Sequence, residues 1–131
     1  LKTVAQLKRG EKILVHAGAG GVGMAAIQIA LHLGAEVIAT AGSPSKRALL
    51  ETLGVKHAID SRHGDFADAV MEITHGRGVD VVLNSLASEA IPMGLSCLAE
   101  FGRFIEIGKR DIYQNSRIPL WPLRKNASFT V

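Results

Sequence analysis

With 131 residues the chain can bury one hydrophobic core but hardly two, so a single domain is expected. Hydrophobic residues make up 47% and charged residues 21%, no apolar run reaches the ~18 residues of a membrane span, and one cysteine excludes a disulfide scaffold or a cysteine-built zinc site; neither membrane nor metal is expected. The net charge of +3 comes from dispersed basic residues with only 5% aromatics, which argues against a nucleic-acid partner and suits a phosphate-bearing ligand, an acidic protein partner or a plain solvated surface.

The opening stretch, LKTVAQLKRG, alternates charged with apolar side chains and carries no secretory signal, which implies a cytoplasmic setting. The chain starts at Leu1 and ends on the strand-like NASFTV, so it reads as a piece of something larger. In chain order, runs rich in Val and Ile predict strands over residues 12–17, 36–41, 57–60, 79–85, 102–108 and 128–131. Between them the pattern predicts helices over 22–33, 45–53, 65–74 and 87–98. The third is the most regular, with Phe66, Ala69, Val70 and Ile73 on one face and Asp65, Asp68 and Glu72 on the other. This alternation predicts an α/β fold of the Rossmann type, a doubly wound parallel sheet of six strands with helices on both faces.

The first strand runs into GAGGVG, in which Gly18, Gly20 and Gly23 match G-x-G-x-x-G and a helix-like segment follows. Between a strand and a helix this spacing points to a dinucleotide. Gly18 would permit a tight turn, Gly20 a close approach of backbone to pyrophosphate, and Gly23 close packing of helix on strand. The amides of Ala19, Gly21 and Val22 would then face the anion at the helix start.

About 20 residues past the motif, where NAD-binding proteins usually present an acidic residue to the ribose, the chain reads AGSPSKRALL. A missing carboxylate removes the repulsion that excludes a 2′-phosphate, while Ser43, Ser45 and Lys46 supply hydroxyls and a cation, so NADP(H) is the predicted cofactor. Ser43 and Pro44 also read as the cap and first residue of a helix, and both roles can hold together. Arg47 stands on the next helical position, which turns it elsewhere. Arg62, after the third strand, either flanks the adenine, adds charge there, or is solvated.

Ligands in an open parallel sheet bind beyond the carboxyl ends of the strands, which places Asn84, Ser85, Gly108 and Lys109 at the crevice. Asn84 could instead be a turn residue, Ser85 a helix cap and Lys109 a surface lysine. Cys97, within GLSCLAEFG, reads as a small buried apolar residue. Residues 109–126 have no steady period; either this loop covers a site, or it is a connection whose Trp121 and Leu123 dock on the core.

Taken together, ILVHAGAGGVGMAAIQIA, AGSPSKRALL, GVDVVLNSLASEAI, CLAEFGRFIEIGKRDIYQN and NASFTV resemble the nucleotide-binding half of the enoyl reductase domain of polyketide synthases and animal-type fatty acid synthases. That family lies in the zinc-independent, quinone-oxidoreductase-like branch of the medium-chain dehydrogenases. The resemblance covers essentially the whole chain, and VLNSLA followed by GRFIEIGKRD is its most specific part. It implies NADPH-dependent reduction of a trans-2-enoyl thioester on an acyl carrier protein, with hydride delivered to the β-carbon and a proton to the α-carbon. By motif it implies that residues 18–23 hold the pyrophosphate, Ser43 and Lys46 the 2′-phosphate, that Asn84 lies near the nicotinamide ribose, and that Lys109 is a proton donor or enolate stabiliser. It also implies partner domains of a synthase, with the substrate barrel missing here, so that this stretch alone binds cofactor with little turnover. The last strand is either an edge that pairs in a homodimer or a frayed terminus. The alternatives are a free-standing NADPH:quinone oxidoreductase and a non-catalytic NADPH-binding module.

Overall fold

The computed structural model describes residues 1, 3–61, 65–86 and 89–131. Six strands, β1 (Lys12–Val15), β2 (Glu36–Ala41), β3 (His57–Asp60), β4 (Val79–Asn84), β5 (Leu98–Glu106) and β6 (Ser128–Thr130), form one sheet. Its order is β3-β2-β1-β4-β5-β6 and every pairing is parallel. This is the expected doubly wound α/β fold. The chain grows outward from β1 on one side and then from β4 on the other, so the direction of winding reverses between β1 and β4, where such sheets open a crevice.

Helices α1 (Gly21–His32), α2 (Pro44–Thr52), α3 (Phe66–Ile73) and α4 (Ala90–Ser96) cover the two faces. Side chains alternate across a strand, and the core divides accordingly. Ile13, Val15, Val37, Ala39 and Val81 pack against Ala26, Ile27 and Ala30 of α1 and Leu50 of α2. Leu14, Ile38, Val82 and Phe104 pack on the opposite face against Phe66 and Val70 of α3 and Ile91 and Leu95 of α4. Burying a large aliphatic side chain contributes roughly 1.5–3 kcal/mol each, so these two layers hold the strand ends in fixed register.

Helix α3 starts where its sequence directs, with Asp65 Oδ1 accepting the Ala67 N–H at 2.8 Å. Its buried side is Phe66, Ala67 and Val70. The fourth helix differs from expectation. Residues 87 and 88 lie outside the described residues, and α4 runs only from Ala90 to Ser96. Pro92 is thereby its third residue, within the first turn, where a missing N–H costs no helical hydrogen bond. Strand β5 correspondingly begins at Leu98 rather than at 102. Leu98 pairs with Val79, but the next pair is Arg103 with Val81, so β5 carries extra residues between them. Phe101 sits in that irregularity with φ 59° and is exposed.

Residues 109–126 are also more ordered than expected. They contain a short helix, α5 (Arg110–Tyr113), and a 3-10 turn, Trp121–Lys125. Leu123 does pack on the core, but Trp121 does not: it is 72% exposed, with the Arg124 guanidinium 4.1 Å above its ring. A cation over the indole face satisfies Trp121 at the surface.

Candidate functional site

The glycine turn closes directly on β1. Gly18 N–H donates to Thr40 O at 2.9 Å and Gly20 N–H to Ala17 O at 3.0 Å. The left-handed residue of the turn is Ala17, φ 52°, not Gly18. Gly18 is required for space instead, because a Cβ there would lie 3.0 Å from both Ala39 Cβ and Ile27 Cδ1. Gly23 is more constrained still, since its Cβ would come within 2.3 Å of Ala17 O; its absence lets α1 start against the turn, as expected. Gly20 and Gly21 have no such internal demand. A Cβ on Gly20 would meet only Ala17 O at 3.3 Å, and one on Gly21 would meet nothing within 4 Å. Bare backbone at these two positions leaves the first amides of α1 open to an anion, with the positive end of the helix behind them. No acidic residue stands in the first turn of α1.

Two clefts meet at Ala17 and Gly20. One, of about 210 Å³, runs past Ala19 to Gly42, Lys46 and Ser61. The other, of about 230 Å³, runs along Gly21, Val22 and Gly23 to Leu83, Ser85 and Ile107. A third, of about 420 Å³ and largely apolar, continues from Ile107 past Gly108 and Lys109 to Tyr113 and Val131. Together they form one trough over the carboxyl ends of the strands, with a lysine at each end.

At the first end, Ser43 caps α2: its Oγ accepts the Lys46 N–H at 3.3 Å and lies 3.3 Å from Ser45 Oγ. Lys46 is exposed and borders the cleft. Arg47 turns away, as its helical position implied, donating to Ala41 O at 3.2 Å and standing 3.6 Å from Asp60. Arg62 lies outside the described residues.

At the other end, Ser85 is exposed and lines the trough, whereas Asn84 is fully buried beneath it, a departure from its expected place on the crevice wall. The Asn84 amide donates to Leu86 O at 2.6 Å and to Glu106 Oε2 at 2.8 Å. Glu106 Oε1 in turn accepts the Gly108 N–H at 2.7 Å. Gly108 therefore lines the trough with its amide already engaged. Lys109, exposed, follows directly and opens α5.

Two further residues at this site, Glu106 and His16, carry no motif in the sequence. Glu106 is 3% exposed, and burial pushes its carboxyl above the ordinary range, against the hydrogen bonds from Asn84 and Gly108. His16 is 2% exposed; its Nδ1 lies 3.1 Å from Thr40 Oγ1 and its ring meets Phe66 edge-on at 4.5 Å. Burial lowers the His16 pKa to about 4, so the ring is neutral at pH 7. One signal is common to both: each stands two residues past a buried apolar residue, Leu14 or Phe104, and so on the same side of the sheet.

Cys97 is buried, as expected, and burial raises its thiol to about 12. Among the described residues no group of three or more His, Cys, Asp or Glu could hold a metal ion. No helix among them is long and apolar enough to cross a membrane.

Comparison with known proteins places these features in a family. Residues 21–130 match the model of the zinc-binding dehydrogenases. The chain is 54% identical over 128 residues to a component of the phenolphthiocerol/phthiocerol polyketide synthase of Mycobacterium tuberculosis, covering 98% of this chain but 6% of that protein. It superimposes with TM-score 0.90 and 50% identity on the nucleotide-binding subdomain of the enoylreductase domain of PpsC from M. tuberculosis, covering 99% of this chain and 74% of that one. Against the CurK enoyl reductase the TM-score is 0.80 at 45% identity, covering 100% of this chain and 39% of the other.

Proposed function

The chain belongs to the zinc-binding dehydrogenase family, among the nucleotide-binding parts of polyketide-synthase enoyl reductases, and from that premise we propose that it binds NADP(H) and serves the reduction of an enoyl thioester carried on an acyl carrier protein. The observation that carries the proposal is the continuous trough at the switch point of the sheet, with bare glycine backbone at its middle and Lys46 and Lys109 at its ends.

In this reading the amides of Ala19 to Gly23 hold the pyrophosphate at the start of α1. Ser43 and Lys46 receive the 2′-phosphate, where a carboxylate would have repelled it. Ser85 and Gly108, with Asn84 beneath, border the nicotinamide end. When bound, the cofactor supplies the hydride that reaches the β-carbon of the enoyl group. Lys109, beside the apolar stretch of trough, is positioned to balance negative charge growing on the thioester oxygen or to pass a proton to the α-carbon. Ile107, Tyr113 and Val131 give that end an apolar lining that stands open to solvent in this chain.

The chain spans about 6% of the length of the curated relative quoted above. Efficient turnover accordingly needs the remaining synthase domains, including one that holds the acyl chain. Strand β6 ends the sheet and offers an edge through which two copies would pair as a homodimer.

The test is NADPH oxidation by the synthase that carries this domain, offered a crotonyl-pantetheine thioester or a quinone. Thioester reduction with little quinone activity is the expected result. Quinone reduction alone would leave the cofactor assignment standing and move the chain to the free-standing oxidoreductases.

A further inference from the structure

The ladder between β4 and β5 runs out with the Ile107 N–H donating to Asn84 O at 3.0 Å, and the strands part there into the two turns that border the trough. Two buried side chains carry the connection on. The Asn84 amide donates to Leu86 O in one turn at 2.6 Å and across to Glu106 Oε2 at 2.8 Å, and Glu106 Oε1 accepts the Gly108 N–H of the other turn at 2.7 Å. The turns are close as well as bonded. A Cβ on Gly108 would lie 2.9 Å from Glu106 Oε1 and 3.6 Å from Ser85 O, so a glycine is what lets the second turn settle against the first.

Lys109 is the next residue, and its carbonyl accepts the Tyr113 N–H at 2.9 Å to begin α5. Its backbone is therefore held on both sides, by the Glu106 carboxyl before it and by the helix after it, while its side chain stands exposed on the trough. Glu106 is 3% exposed, and burying a carboxylate works against stability. Its chemistry explains its presence. The two groups it meets, an amide NH₂ and a backbone N–H, are both donors, and a carboxylate offers an acceptor oxygen to each.

We infer that Glu106 is a positioning residue for Lys109: through the Gly108 amide it fixes where the lysine ammonium stands beside the enoyl thioester at the apolar end of the trough. This role rests on the reading of Lys109 given above.

The test is a double-mutant cycle in the full synthase, read as kcat for reduction of the crotonyl-pantetheine thioester and as the NADPH dissociation constant. Glutamine at this position has a single acceptor oxygen for two donors, so either orientation of its amide gives up one of the bonds that join the turns. Glu106→Gln is expected to lower kcat about tenfold and to leave NADPH binding within about twofold of the unaltered synthase. In the Lys109→Met background the same substitution is expected to change kcat by less than about twofold, because no ammonium group is left to misplace. Gly108→Ala presses a methyl group against Glu106 Oε1 and is expected to give the same loss and the same cancellation, a second route to the bond if Glu106→Gln does not fold. An unchanged kcat in both single variants, a fall in NADPH affinity as large as the fall in kcat, or a loss that persists in the Lys109→Met background would overturn the positioning role while leaving the part of Lys109 in the reaction standing. If Lys109→Met itself leaves kcat unaltered, or the synthase reduces no thioester, the reading of Lys109 fails and the positioning role fails with it.

Discussion

Asn84 and Glu106 face each other across β4 and β5, 2.8 Å apart, at the point where both strands run out into the trough. The carboxyl holds the Gly108 N–H with its second oxygen, so the turn that presents Lys109 is tied to the strand that presents Ser85. Two loops that border the trough at the same end of the sheet thereby share one buried anchor, which keeps their spacing constant.

Lys109 is placed by that anchor, and its side chain is the cation beside the apolar end of the trough. Lys109→Met in the full synthase is expected to lower kcat for thioester reduction by roughly 10²-fold and to leave the NADPH dissociation constant nearly unchanged. Steady-state rates with a fluorescence titration of NADPH check this; an unaltered kcat would remove Lys109 from the chemistry.

Lys46 is the cation at the opposite end. Lys46→Ala is expected to weaken NADPH binding about tenfold, the order of an exposed charge-assisted contact, and to leave NADH binding as it was. Separate titrations of the two nucleotides read the difference directly. Equal effects on both would show that the lysine does not meet the 2′-phosphate.

The glycines of the turn separate packing from binding. Gly23→Ala forces a Cβ to within 2.3 Å of Ala17 O, and a backbone oxygen cannot step aside cheaply. A loss of at least about 2 kcal/mol is expected. Gly21→Ala meets open space on the first residue of α1 and should raise stability by about 0.5 kcal/mol. Urea denaturation of both variants provides the comparison.

Acid will test the buried imidazole. Burial lowers His16 from 6.5 to about 4, so as pH falls the unfolded chain takes up this proton before the folded one. The stability owed to neutral His16 is complete above pH 6.5, falls between 6.5 and about 4, and is lost below that, about 3 kcal/mol in all. Glu11 shifts downward through its hydrogen bonds with Arg103, so its own contribution is lost only at more acidic pH. Urea midpoints measured at pH 7, 5.5 and 4.5 should fall more steeply in the unaltered chain than in His16→Gln. Parallel curves would place the acid sensitivity elsewhere.

By itself the sequence determined the doubly wound sheet, the glycine turn, the capped start of α2 and the amphipathic α3. Each of these is written within a few neighbouring residues: strand alternation, G-x-G-x-x-G spacing, Ser43-Pro44, and the i, i+3, i+4 placement of Phe66, Ala69 and Val70. Tertiary structure decided the rest. Whether Gly18 serves a turn or a packing contact depends on Ala39 and Ile27, and whether Trp121 docks depends on where Arg124 lies. His16 meets Thr40 and Asn84 meets Glu106 because β1 lies beside β2 and β4 beside β5 in the sheet. Local propensity can place a polar residue on an inward beat; only the register between distant strands decides which other polar residue stands beside it.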